Sequence, residues 1–107
     1  FFLQPADVRN DRHHRWAERL LGLPPLKHPP SEYIRDHFLW GFQYDRIGVE
    51  LRHKINVDNL MWGSDFPHQE SDWPDSLKII DKNFAGVPDE EKHKMTCGNA
   101  VRFFRLD

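Results

Sequence analysis

Along residues 6–21, ADVRNDRHHRWAERLL, Trp16 pairs with Leu20 and Ala17 with Leu21 at a spacing of four, which sets apolar side chains on one helical face. Gly22 follows as the stop, because glycine readily enters the left-handed conformation that closes a helix. Residues 23–30, LPPLKHPP, break the pattern. Two proline pairs hold the backbone extended and remove hydrogen-bond donors, so this stretch is a connection. Ser31 then offers a cap for a short turn in SEYIRDHF. Residues 37–43, HFLWGFQ, concentrate aromatics between charged neighbours and predict a strand.

Residues 44–54, YDRIGVELRHK, predict a helix, with Ile47, Leu51 and Ile55 stepping by four. Leu60 to Trp62 predict a second short strand that ends at Gly63. Strand, helix and strand within about 25 residues form a βαβ unit, whose outcome is a parallel sheet. Residues 74–84 predict a helix with Pro74 in its first turn, an apolar face of Leu77, Ile80 and Phe84, and a stop at Gly86. Pro88 and the acids 89–91 open the next helix, a solvated start that complements the positive end of the helix dipole and runs to about Met95. Asn99 is the expected cap of a last helix carrying Val101, Phe103 and Phe104.

Two parallel strands are few. Such strands are normally buried on both faces and flanked by others. Aromatic residues make up 13% of the 107, enough to exclude a disordered chain and to imply surfaces built to be covered. The length suits one domain at most. Fifteen basic residues against 17 acidic ones leave a net charge of −2, which gives no footprint for nucleic acid. The single cysteine, Cys97, excludes an internal disulfide and a Cys-rich zinc site, and it points to a reducing, cytoplasmic setting. No apolar run approaches the roughly 20 residues of a membrane helix, and the opening FFL is too short for a signal peptide. A start at Phe1 implies processing or a piece of a longer chain.

The chemistry gathers in MWGSDFPHQESDWPDS, residues 61–76. In α/β folds functional side chains collect at the carboxyl ends of strands, which is where Asp65 falls. Its carboxylate there can bind Zn²⁺ or another divalent ion, act as a general base, or simply bond to backbone amides in a turn. His68, beyond Pro67, can be a ligand, a proton donor, a substrate contact or a plain loop residue. Trp62, Phe66 and Trp73 can wall a planar substrate or pack against neighbouring helices. His13 and His14 are adjacent, so on a helix they diverge and read as surface residues; His28, His37, His53 and His93 show no ligand spacing. Cys97 reads as a small packing residue. HExxH, a phosphate loop and a serine elbow are all absent.

LMWGSDFPHQESDWPDSLKII followed by GVPDEEKHKMTCGNAVRFFRL resembles the carboxyl-terminal end of amidohydrolase-related proteins, in the branch of aminocarboxymuconate-semialdehyde decarboxylase and the hydroxybenzoate decarboxylases. SEYIRDHFLWGFQYD resembles the lead into the seventh strand of that fold. The resemblance implies the carboxyl-terminal portion of a metal-dependent (β/α)₈ barrel, a fold of about 250 residues. Residues 1–24 would be a helical lead-in, and 25–107 would supply strands seven and eight with their helices. It implies a hydrolase or a non-oxidative decarboxylase acting on a small carboxylate or aromatic substrate. The open edge of the parallel sheet invites pairing with other strands, so a homo-oligomer is expected. The resemblance also implies Asp65 as the catalytic residue and metal ligand, a divalent ion with zinc foremost, and a place for His68 at the mouth of the site, where it is a candidate substrate contact; Phe66 is another by its aromatic ring. The family's H-x-H pair is absent, so the chain alone is expected to bind metal weakly or not at all and to be inactive. The alternative is a non-catalytic, truncated interaction module that self-associates through its open sheet edge.

Overall fold

A computed structural model of the chain describes residues 3–106, with side chains from Asn10 to Leu106. The chain divides into two compact units between Phe38 and Leu39.

The first unit pairs α1 (Leu3–Leu21) with α2 (Pro30–His37). Helix α1 ends where the pattern predicts, with Gly22 at φ 63°. Ser31 is not a cap. Pro29 holds that position and Pro30 opens the helix, where a missing N–H costs nothing. The Ser31 backbone N–H and hydroxyl instead donate to the Asp11 carboxylate at 2.8 and 2.6 Å, fastening α2 to α1. His13 is exposed as expected, whereas His14 is half-buried with its Nδ1 2.9 Å from Glu18 Oε1.

The second unit holds the sheet. Strands β1 (Trp40–Phe42) and β2 (Leu60–Trp62) are parallel, with Trp40 opposite Leu60 and Phe42 opposite Trp62. The Gly63 N–H extends the ladder to the Phe42 carbonyl at 2.9 Å. All five buried apolar side chains among the described residues lie in this unit: Val49, Ile55, Leu60, Phe84 and Met95. Phe84 meets Phe42 with ring centroids 6.0 Å apart.

The single helix expected over 44–54 is two. Helix α3 (Arg46–Glu50) and helix α4 (Arg52–Ile55) part at Leu51, whose φ −91° and ψ 8° leave the helical region. The break turns the buried stripe, so Ile47 is 64% exposed while Val49 and Ile55 form the core. Arg52 Nη1 donates to the Val49 carbonyl at 3.1 Å, adding a side-chain donor at the end of α3. Asp45 caps α3 by accepting from the Gly48 N–H at 2.7 Å, and the approach is so close that a Cβ at position 48 would lie 2.5 Å from Asp45 Oδ2. Asp45→Ala is expected to lower stability by about 1 kcal/mol in urea unfolding, the usual worth of such a cap. An unchanged midpoint would show that α3 needs no cap.

Helix α5 (Ser76–Asn83) begins two residues after Pro74. Of its predicted apolar face only Phe84, just past its end, is fully covered, and Leu77 is 78% exposed. At its start the Lys78 ammonium donates to Asp75 and holds that carboxyl below its ordinary value. Helix α6 (Asp89–His93) runs through a π-helical turn, Lys94–Gly98, into α7 (Asn99–Phe104), so Asn99 is no cap. Its side chain, 2% exposed, turns into the unit and donates to the carbonyls of Val57 and Leu60, each at 2.8 Å. Two further readings change here. Cys97 is exposed, not packed. Glu91 is no solvated helix start, because Arg52 Nε donates to it at 2.6 Å and His53 Nε2 lies 3.3 Å away.

Candidate active site

The carboxyl ends of β1 and β2 open onto a cavity of about 570 Å³, lined by Gly41, Phe42, Met61, Trp62, Phe104 and Asp65 among others. Asp65 reaches this place through the loop that leaves β2 at Gly63. It holds φ 57°, the left-handed region that few residues other than glycine enter; aspartate is among those that tolerate it. A side chain kept in such a conformation reflects surroundings that fix it, a pattern that gathers at functional sites.

The carboxylate is half exposed, and its Oδ1 lies 2.9 Å from His68 Nδ1. The main chain repeats the link, with the His68 N–H donating to the Asp65 carbonyl at 2.9 Å. His68 itself is 74% exposed. Phe66 is also exposed and meets Trp73 edge to face, ring centroids 5.8 Å apart, so these two form the loop's aromatic pair. Trp62 stands apart from them in the cavity wall. Cis peptide bonds precede Pro67 and Pro74.

Three donors converge on the Ser64 carbonyl: the Asp72 N–H at 2.9 Å, the Ser71 hydroxyl at 2.8 Å and Gln43 Nε2 at 3.3 Å. Gln43 Nε2 also donates to the Glu70 carbonyl at 3.2 Å. These anchors escaped the reading of the sequence. The available signal was a polar residue placed directly after β1, at the mouth of the cavity.

A family model described as amidohydrolase matches residues 5–106. The chain belongs to the amidohydrolase family. Among solved structures, this amidohydrolase chain is similar to 5-carboxyvanillate decarboxylase LigW from Sphingomonas paucimobilis, at 30% identity and a TM-score of 0.74. The match covers 94% of the chain and 30% of the decarboxylase, so these residues span under a third of that enzyme's length. No curated protein matches the chain. The described residues contain no helix long and apolar enough to cross a membrane.

Metal binding can be tested against the donors present. Among the described residues, no group of three or more His, Cys, Asp or Glu side chains could hold a metal ion. Asp65 with His68 offers one carboxylate and one imidazole, where zinc takes three or four protein ligands. By themselves these residues do not fit a metal centre.

Proposed function

We propose that these residues form strands seven and eight, with their helices, of a (β/α)₈ amidohydrolase-superfamily enzyme. The reaction is hydrolysis or non-oxidative decarboxylation of a small carboxylate or aromatic substrate. One observation carries the reading: Asp65 stands at the carboxyl end of a parallel strand, on the rim of a cavity shared by both strand ends. The similarity to a decarboxylase across nearly the whole chain supports it.

Asp65 is the working acid of this portion, the group that accepts or delivers a proton at the substrate. His68 Nδ1 stands 2.9 Å from Oδ1, close enough to bias the direction in which the carboxylate faces. Phe66, paired with Trp73, offers an aromatic edge beside it. A divalent ion, zinc foremost, would supply Lewis acidity in the assembled barrel, with Asp65 as one of its ligands and the rest coming from other strands. With Asp65 as the one carboxylate of the candidate site and no complete ligand set among the described residues, the chain is inactive alone. The whole enzyme is read as a cytoplasmic homo-oligomer.

The test is the intact mass and metal content of the protein isolated from its native source. A species near barrel size carrying about one divalent ion per chain is expected. A metal-free species of 12.8 kDa, the mass of these residues alone, would overturn the enzyme reading.

A further inference from the structure

The geometry points to Gln43 as the positioning residue for the Asp65 loop: its side-chain amide spans from the end of β1 to the two carbonyls that bracket Asp65 and His68. This rests on Asp65 being the working carboxylate, but its geometric content can be tested without turnover.

Of the three donors on the Ser64 carbonyl, Ser71 and Asp72 belong to the stretch that the loop itself leads into, and bonds among neighbours in one segment can move with it. Gln43 comes from elsewhere, 21 residues from Ser64 and 27 from Glu70. Among the described residues, its amide is the side-chain tie from the loop to the end of β1. Both neighbours of the amide group are carbonyl oxygens, acceptors alone, so the nitrogen and not the oxygen must face them.

Gln43 is itself held. Its carbonyl accepts from Asn83 Nδ2 at 2.9 Å, and Asn83 is wholly buried. The end of α5 that carries Asn83 is gripped in turn by Arg46 Nη1, which donates to the carbonyls of Lys82, Asn83 and Ala85 at 3.3, 3.3 and 2.8 Å. A continuous path of hydrogen bonds thus runs from α3 through α5 and the end of β1 to the loop. Gln43 is where that path meets the candidate active site. Holding an acid within a few tenths of an ångström of its working place is what such supporting bonds provide.

The experiment uses the chain itself, metal-free at pH 8, with Gln43→Met, which keeps length and loses the donor, and Gln43→Glu, which turns a carboxylate on two carbonyls. Two signals are read by NMR. Nitrogen shifts of His68 report whether the ring proton sits on Nδ1, as the 2.9 Å approach of Nδ1 to Asp65 Oδ1 favours. Amide exchange is compared at His68 and Asp72, within the loop, and at Gly63, in the ladder. Loss of two hydrogen bonds is expected to speed loop exchange about tenfold or more, with Gly63 unchanged. The His68 proton should redistribute toward Nε2, further in Gln43→Glu than in Gln43→Met. If His68 keeps its Nδ1 proton in both variants, Gln43 does not position Asp65. Equal acceleration at Gly63 and in the loop would also overturn the proposal, because Gln43 would then support the unit as a whole. Neither readout depends on Asp65 having a chemical role, which turnover of the Asp65 variant decides separately.

Discussion

Asp65→Asn is expected to reduce turnover of the assembled enzyme by roughly 10²–10⁴, the usual worth of a positioned acid or base. The substitution keeps the shape of the side chain, and an amide oxygen can still accept from His68 Nδ1. It removes the charge and the ability to carry a proton. Asparagine tolerates the left-handed φ of 57° at this position as aspartate does, so the loop has no backbone reason to move. Stability should shift by less than about 0.5 kcal/mol, as is usual for an exposed site. kcat/KM measured beside urea unfolding separates the two effects. Full turnover in the variant would remove Asp65 from the chemistry. Lost turnover accompanied by a large loss of stability would assign it a structural role.

The largest effect on folding is expected from Asn99→Ala, with a loss of about 2–4 kcal/mol, since two carbonyls would each lose a side-chain donor and the Val57 carbonyl would keep just the Leu60 N–H. The Nδ2 group of Asn99 serves both ends of the turn before β2, at Val57 and Leu60, and nothing in alanine replaces it. Asn99→Asp should be at least as harmful, because it sets carboxylate oxygens against two carbonyl oxygens in a site that is 2% exposed. A total of this size is a large share of what holds a small domain together. The measurement is the urea midpoint of each variant; a loss below about 0.5 kcal/mol would mean that water replaces the amide at no cost.

These two residues mark how far the sequence could be read. Strand β2 was legible to the residue, because Leu60 to Trp62 form a short apolar run closed by glycine. The parallel pairing followed from the interval between the two runs. Asp65 could be placed at the strand end by the same reasoning. The division at Leu51 was not legible, since Ile47, Leu51 and Ile55 keep perfect helical spacing and the break depends on local conformation and on Arg52 reaching the Val49 carbonyl. Asn99 was misread for a related reason. An asparagine before apolar residues signals a cap, and its partners here lie 42 and 39 positions away. The clamp by Gln43 was hidden likewise. Its bonds go to main-chain carbonyls, which carry no residue signature.

That last property bears on how the site can diversify. The bonds that tether the loop end on the backbone of Ser64 and Glu70, so the side chains at 66–70, all exposed, are free of the tether. Leaving His68, which faces Asp65, a lineage can rewrite the other exposed side chains of the loop one residue at a time, changing what is admitted, while the acid behind them stays in place. The segment behaves as an exchangeable cassette between fixed posts.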